Sequence, residues 1–330
     1  MGLFGFGNYE KPGPGVSKDE PPKAAPIRFF EILARKFSKL VQLNLIFMIP
    51  TIAVFILMVA LYLVPTHFLV SISGMYELDG WASFVVPIPL ILLSPFIAGL
   101  TYVTRNFARE EHAFVWSDFW DAVKGNWKYF LLNGLICYSV FTLLSFALLY
   151  YYSMAISSWI YYIPLWLCVV VALVFLFAQY YLPIMFVTFE LKFTHAYKNA
   201  LIFTVAGFGR NILVTIILGA MLIAFLNIPL LNITLLVYVL LLIFIIFSFI
   251  SYLISFAVYP VIDRYMIQAA KRMESGEKEE QPSGSVEEEF PGLFSQPSAD
   301  DEDEDEEDKY VYVNGRLMKK SEMKDNHQDQ

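Results

Sequence analysis

Three long stretches of the chain are almost free of charge. No Lys or Arg lies between Lys39 and Arg105, no charged residue of either sign between Lys128 and Glu190, and none between Arg210 and Asp263. A helix crosses the bilayer core in about 20 residues at 1.5 Å per residue, so each stretch exceeds one crossing. Tyr129 to Phe189 would be roughly 90 Å long as a single helix. Each stretch must therefore fold back, and three stretches predict three hairpins. The turns are written as polar or helix-breaking interruptions: VPTHFLVSISGMYELDG at Val64 to Gly80, YYSMAISS at Tyr151 to Ser158, and NIPLLN at Asn227 to Asn232. Spans are expected near Leu40 to Val64, Trp81 to Thr104, Tyr129 to Tyr150, Trp159 to Thr188, Asn211 to Leu226 and Ile233 to Tyr259. The fold class that follows is an all-α polytopic membrane bundle of six transmembrane helices.

The hairpins echo one another. Each returning span carries a proline in the half expected nearest the cytoplasm, namely Pro95, Pro183 and Pro260. A helical proline frees one carbonyl and kinks the helix, which a bundle tolerates when neighbours re-satisfy that group. Lys39 precedes Asn44 by the same five positions that separate Lys128 from Asn133. The expectation is a pseudo-repeat of outgoing helix, kinked returning helix and interfacial helix.

Between the spans the periodicity becomes amphipathic. Trp116, Phe119, Trp120, Val123 and Trp127 recur at helical spacing, with Asp118, Asp121, Lys124 and Lys128 largely off that stripe. Ser117 or Asp118 is placed to cap the segment. This predicts a short helix along the membrane surface, its tryptophans at headgroup depth. IRFFEILARKFSKL gives a second, with Phe30, Leu33, Phe37 and Leu40 on one face; KFTHAYKNALIF is a weaker third. Arg105, Arg109, Trp116, Asp118, Trp120, Lys124 and Trp127 are thus candidate contacts for a partner helix or a lipid headgroup. Taken singly, each is better accounted for as a linker residue whose charge only fixes topology.

Charge adds the orientation. The basic residues lie before the first span, in the second-to-third and fourth-to-fifth connections, and after the sixth span, while the three opposite turns hold no Lys or Arg. By the positive-inside rule both termini are expected in the cytoplasm. The N-terminus lacks a basic region leading into an apolar core, and Phe6 stands where a myristoylation motif takes Ser or Thr, so neither leader nor acyl anchor is expected. Glu274 to Gln330 holds 19 acids and 6 bases, a net of −13, whereas the remainder, with 12 acids and 17 bases, is +5. The acidity of the chain thus belongs to its tail. Domain organisation reads as a flexible N-terminus (1–25), a six-helix domain (26–273) and a disordered acidic tail (274–330), with a short hairpin at 310–320 signalled by YVYVNGRLMKK.

The segments NYEKPGPG, LNLIFMIPTI and SPFIAGLTYVTRNFAREEHAFVWSDFWDAVKGNWK resemble the YesL-like integral membrane family of Gram-positive bacteria, a domain of unknown function, over roughly Asn8 to Arg272. The resemblance implies a compact polytopic protein commonly encoded near carbohydrate ABC uptake systems. It supplies no catalytic or binding residues, and the acidic tail departs from the family pattern.

Chemistry is sparse. The four histidines show no metal-ligand spacing, no nucleophile with its base can be assigned, and Cys137 and Cys168 fall within spans as packed thiols. Neither enzyme activity, cofactor nor metal is expected. Basic residues that hug the membrane beside an acidic tail exclude nucleic acid. Asn44, Asn133 and Gln179 are the buried polar candidates and are expected to bond between helices. The lipid bilayer is one partner; an ABC permease or similar membrane protein is the other expected. The reading that results is an accessory or regulatory subunit of sugar uptake, with an autonomous transporter or lipid-handling protein for a neutral substrate as the alternative.

Overall fold

The computed structural model describes residues 24–73, 84–227, 233–268, 310–313 and 316–319. The predicted flexible N-terminus and most of the acidic tail lie outside the described residues. Among the described residues there are eight α-helices: α1 (Ala25–Ser73), α2 (Leu90–Ala108), α3 (Val115–Ala155), α4 (Tyr162–Thr188), α5 (Phe193–Ala206), α6 (Phe208–Leu226), α7 (Ile233–Leu241) and α8 (Phe247–Ile262). A π-helical turn at Leu242–Ile246 joins α7 to α8, and a second at Asp263–Ile267 extends α8. Among the described residues six helices or continuous helical runs are long and apolar enough to cross a membrane. The chain is a multi-pass membrane helix bundle. Two strands, β1 (Tyr310–Val313) and β2 (Arg316–Lys319), pair antiparallel in the tail.

Two interfacial helices expected from the sequence are not separate elements. The IRFFEILARKFSKL segment runs without a break into the first span as α1, and the Trp116 to Lys128 segment runs without a break into the third span as α3. No proline or glycine stops the chain at Lys39, and Gly125 alone is too weak a breaker to end a helix held by packing on both sides. At 1.5 Å per residue the 41 residues of α3 measure about 60 Å, twice the hydrocarbon thickness. The helices therefore project beyond the bilayer rather than lying flat on it. Of the three expected interfacial helices, α5 is the separate short one, divided from α6 at Gly207. In the predicted second span Phe84 and Val85 are helical, residues 86–89 lie in turns where Pro87 and Pro89 interrupt the helix, and the helix runs on from Leu90; residues 81–83 lie outside the described residues.

The inward stripes follow from these projections. On α1 the buried face is Phe29, Ile32, Leu40, Leu43, Asn44 and Phe47, while Phe30 and Phe37 of the predicted stripe point outward. On α3 it is Val115, Phe119, Ala122, Val123, Asn126 and Phe130, with Trp116 and Trp127 exposed. Both faces close on the second half of α2. Gly99 permits the approach: a Cβ there would stand 2.6 Å from the Phe119 carbonyl oxygen. A second apolar cluster joins the ends of α4 and α8 to α5 through Tyr181, Met185, Phe203 and Val258. Burial concentrates in the half of the bundle that carries the basic residues. Beyond Gly134 on α3 and before Phe177 on α4 the side chains are mostly open to lipid.

Candidate functional site

The end of α2 is where the polar groups gather. Its last turn closes through backbone bonds from Glu110 N–H to Phe107 O (3.0 Å) and from Glu111 N–H to Asn106 O (2.9 Å), the pairing of a Schellman cap. Glu110 occupies the left-handed position of that cap at φ 61°, where glycine is usual. Its carboxylate accepts from Arg35 Nη2 at 2.5 Å and lies 3.3 Å from Arg28 Nε, so two arginines of α1 hold the strained residue. Arg109 pairs with Glu111 at 2.6 Å and lies over the Tyr259 ring at 5.2 Å.

Arg105 points inward, away from any headgroup. It is 2% exposed, donates to the Val187 carbonyl (2.9 Å), the Thr188 hydroxyl (3.0 Å) and twice to Asn106 Oδ1, and stacks over Tyr102 at 4.5 Å. Val187 and Thr188 form the carbonyl end of α4, where partial negative charge favours a cation. Arg105 is thus a cap for α4 delivered from α2. The neighbouring hydroxyls of Thr104, Ser251 and Ser255 bond α2 to α8.

The remaining predicted contacts also part company. Asp118 accepts the Phe114 N–H at 2.9 Å and so caps the start of α3, while Ser117 turns its hydroxyl to the Phe114 carbonyl. Trp120 is half-buried against Phe96 and Trp116. Lys124 and Trp127 are exposed, and Lys128 lies 5.7 Å over the Trp127 ring. Arg105, Arg109 and Asp118 therefore serve three different contacts, Lys124 is exposed, and the four do not form a single grip.

Deeper in the bundle, each outgoing helix carries a buried asparagine that bonds to a neighbouring helix. Asn44 donates to the carbonyls of Leu242 (2.9 Å) and Ile243 (2.7 Å) and accepts the Ser248 N–H (2.9 Å). These are backbone groups of the π-helical turn and its exit, so one side chain satisfies what the change of helical pitch disturbs. Asn133 donates to Gln179 Oε1 at 3.0 Å and accepts from the Tyr197 hydroxyl, linking α3, α4 and α5. Asn211 accepts from the Tyr181 hydroxyl (2.8 Å) and donates to the Thr204 carbonyl (3.0 Å). Sequence reasoning missed Asn211, although its place at the head of the third uncharged run matches Asn44 and Asn133. It missed Glu110 as well, for which a carboxylate at a helix end gives no signal. Pro95, Pro183 and Pro260 lie inside α2, α4 and α8, but Pro50 lies inside α1 too, so intrahelical proline does not distinguish the returning helices.

Among the described residues no group of three or more His, Cys, Asp or Glu is placed to hold a metal ion. Residues 40–148 match the model of a family described as a protein of unknown function, DUF624. The match covers about a third of the chain, from the membrane part of α1 through α2 into the far half of α3. No curated protein and no solved structure matches the chain. The match thus takes in the Glu110 turn and the Gly99 contact, while Arg28 and Arg35 lie before it.

Proposed function

We propose that this protein is a non-enzymatic accessory or regulatory subunit associated with carbohydrate uptake of the ABC type in a bacterial plasma membrane, with its basic end and both termini in the cytoplasm. The observation that carries the reading is the use of the buried polar groups. Asn44, Asn133, Asn211 and Arg105 are bonded across helices, which makes a braced scaffold, whereas the charged side chains open to contact, Lys124 and Lys128 among them, stand on the projecting end. A scaffold that reaches beyond the bilayer suits contact with another membrane protein. The link to sugar uptake rests on the resemblance to the YesL-like family.

The test is purification of the tagged full chain in native nanodiscs, followed by mass spectrometry of everything bound near stoichiometry. A co-purifying ABC permease, lost when Lys124 and Lys128 are both changed to Glu, is the expected result. A chain that comes alone from cells grown on sugars imported by such systems overturns the reading and puts autonomous transport in its place.

A further inference from the structure

On the outer seam between α2 and α3 runs an open groove of about 450 Å³, lined by Ile91, Trp127, Lys128, Leu131, Leu132 and Leu135. Its chemistry is ordered along α3. Lys128 is the last charged residue before the uncharged run, so its ammonium marks the depth at which the hydrocarbon begins. Trp127 beside it is an interfacial residue type. Leu131, Leu132 and Leu135 descend from there, the last about 10 Å deeper at helical rise. The floor is closed where α2 and α3 touch: a Cβ on Gly134 would lie 2.0 Å from Ser94 Oγ.

We propose that this groove holds one anionic phospholipid, its phosphate on the Lys128 ammonium with Lys124 one turn beyond, and an acyl chain along Leu131, Leu132, Leu135 and Ile91. Charge complementarity selects this occupant. The described ion pairs of the basic end join Arg28 and Arg35 to Glu110 and Arg109 to Glu111, and Lys124 and Lys128 take part in none of them. Asp121, the nearest carboxylate in sequence, stands about two helical turns before Lys128 and lines no part of the groove. A soluble anion would leave the leucine floor unused, and a zwitterionic lipid would gain less from two adjacent cations. The order of charge, aromatic rim and apolar floor is that of a phospholipid from headgroup to tail. The site stands on this geometry whether or not the chain serves an uptake system.

The experiment is native mass spectrometry of the full chain after equilibration with equimolar phosphatidylglycerol and phosphatidylcholine. The expected result is one retained phosphatidylglycerol per chain in several-fold excess. Lys128→Gln lowers that preference about fivefold, the worth of one lysine near an anionic headgroup. Lys128→Arg keeps it. Leu132→Trp fills the groove without touching charge and loses the retained lipid of both kinds, while Leu132→Met, which leaves room, retains it; elution volume and melting temperature verify the fold of each variant. Equal retention of the two lipids by the wild type, or unchanged retention in Leu132→Trp, overturns the proposal. Displacement by inorganic phosphate, but not by chloride at equal ionic strength, overturns the lipid assignment in favour of an anion site.

Discussion

Asn44 shows how much one side chain can hold. The π-helical turn at Leu242–Ile246 shifts the hydrogen-bond register of a membrane helix, and its displaced carbonyls and the Ser248 N–H find their partner on α1. Asn44→Ala leaves three backbone contacts unmet in an apolar interior and is expected to cost about 1–3 kcal/mol. Asn133→Ala removes side-chain bonds between helices, of a kind worth about 0.6–1.7 kcal/mol. Thermal unfolding in mild detergent should rank Asn44→Ala as the more damaging; the reverse order would show that the π-turn does not depend on Asn44. Asn44 and Asn133 were legible in the sequence as polar residues stranded in apolar runs. Their partners were not, because backbone carbonyls carry no residue signature and a π-turn has no sequence motif here. Arg105 reads from sequence as an interfacial cation, and only the meeting of α2 with the end of α4 turns it into a buried cap.

At the scale of elements, the tightest junction is α2 against α3. Two glycines set it, Gly99 under Phe119 and Gly134 under Ser94. Their neighbours differ in kind, and so do the expected outcomes. Gly99→Ala meets the Phe119 backbone, which cannot withdraw without moving α3, so a loss of about 1–3 kcal/mol is expected. Gly134→Ala meets a serine side chain, and trimming that side chain with Ser94→Ala should recover part of the loss. A double-mutant cycle on melting temperature measures the coupling; additive effects at Gly134 and Ser94 would mean the two do not touch. Hairpin pairing itself was legible, since an uncharged run twice the bilayer thickness has to turn back. The continuity of α1 and α3 through their charged segments was not. Local amphipathicity at 3.6 residues per turn is the same for a helix on a membrane surface and for one that continues into a span, and the difference lies in what covers its apolar face.

For the whole molecule, asymmetry of charge and of packing coincide. The chain outside the acidic tail is +5, its basic residues crowd one end, and the buried core fills the half of the bundle at that same end. A packed, charged end is costly to translocate, whereas the splayed apolar half fits lipid, so packing and the positive-inside rule favour the same orientation. Single cysteines placed in a background of Cys137→Ala and Cys168→Ala read this out with a membrane-impermeant maleimide. Ser157→Cys, exposed at the turn between α3 and α4, should label in intact cells. Ser117→Cys, exposed at the start of α3, should label only after the membrane is opened. Labelling of Ser117→Cys from outside would invert the bundle, placing the Lys124 and Lys128 surface away from any cytoplasmic partner. Changing Lys124, Lys128 and Lys192 together to Gln should raise the inverted fraction, because these charges help to hold the second-to-third and fourth-to-fifth connections inside. A labelling pattern indifferent to that triple change would mean that the charges before α1 set the orientation on their own.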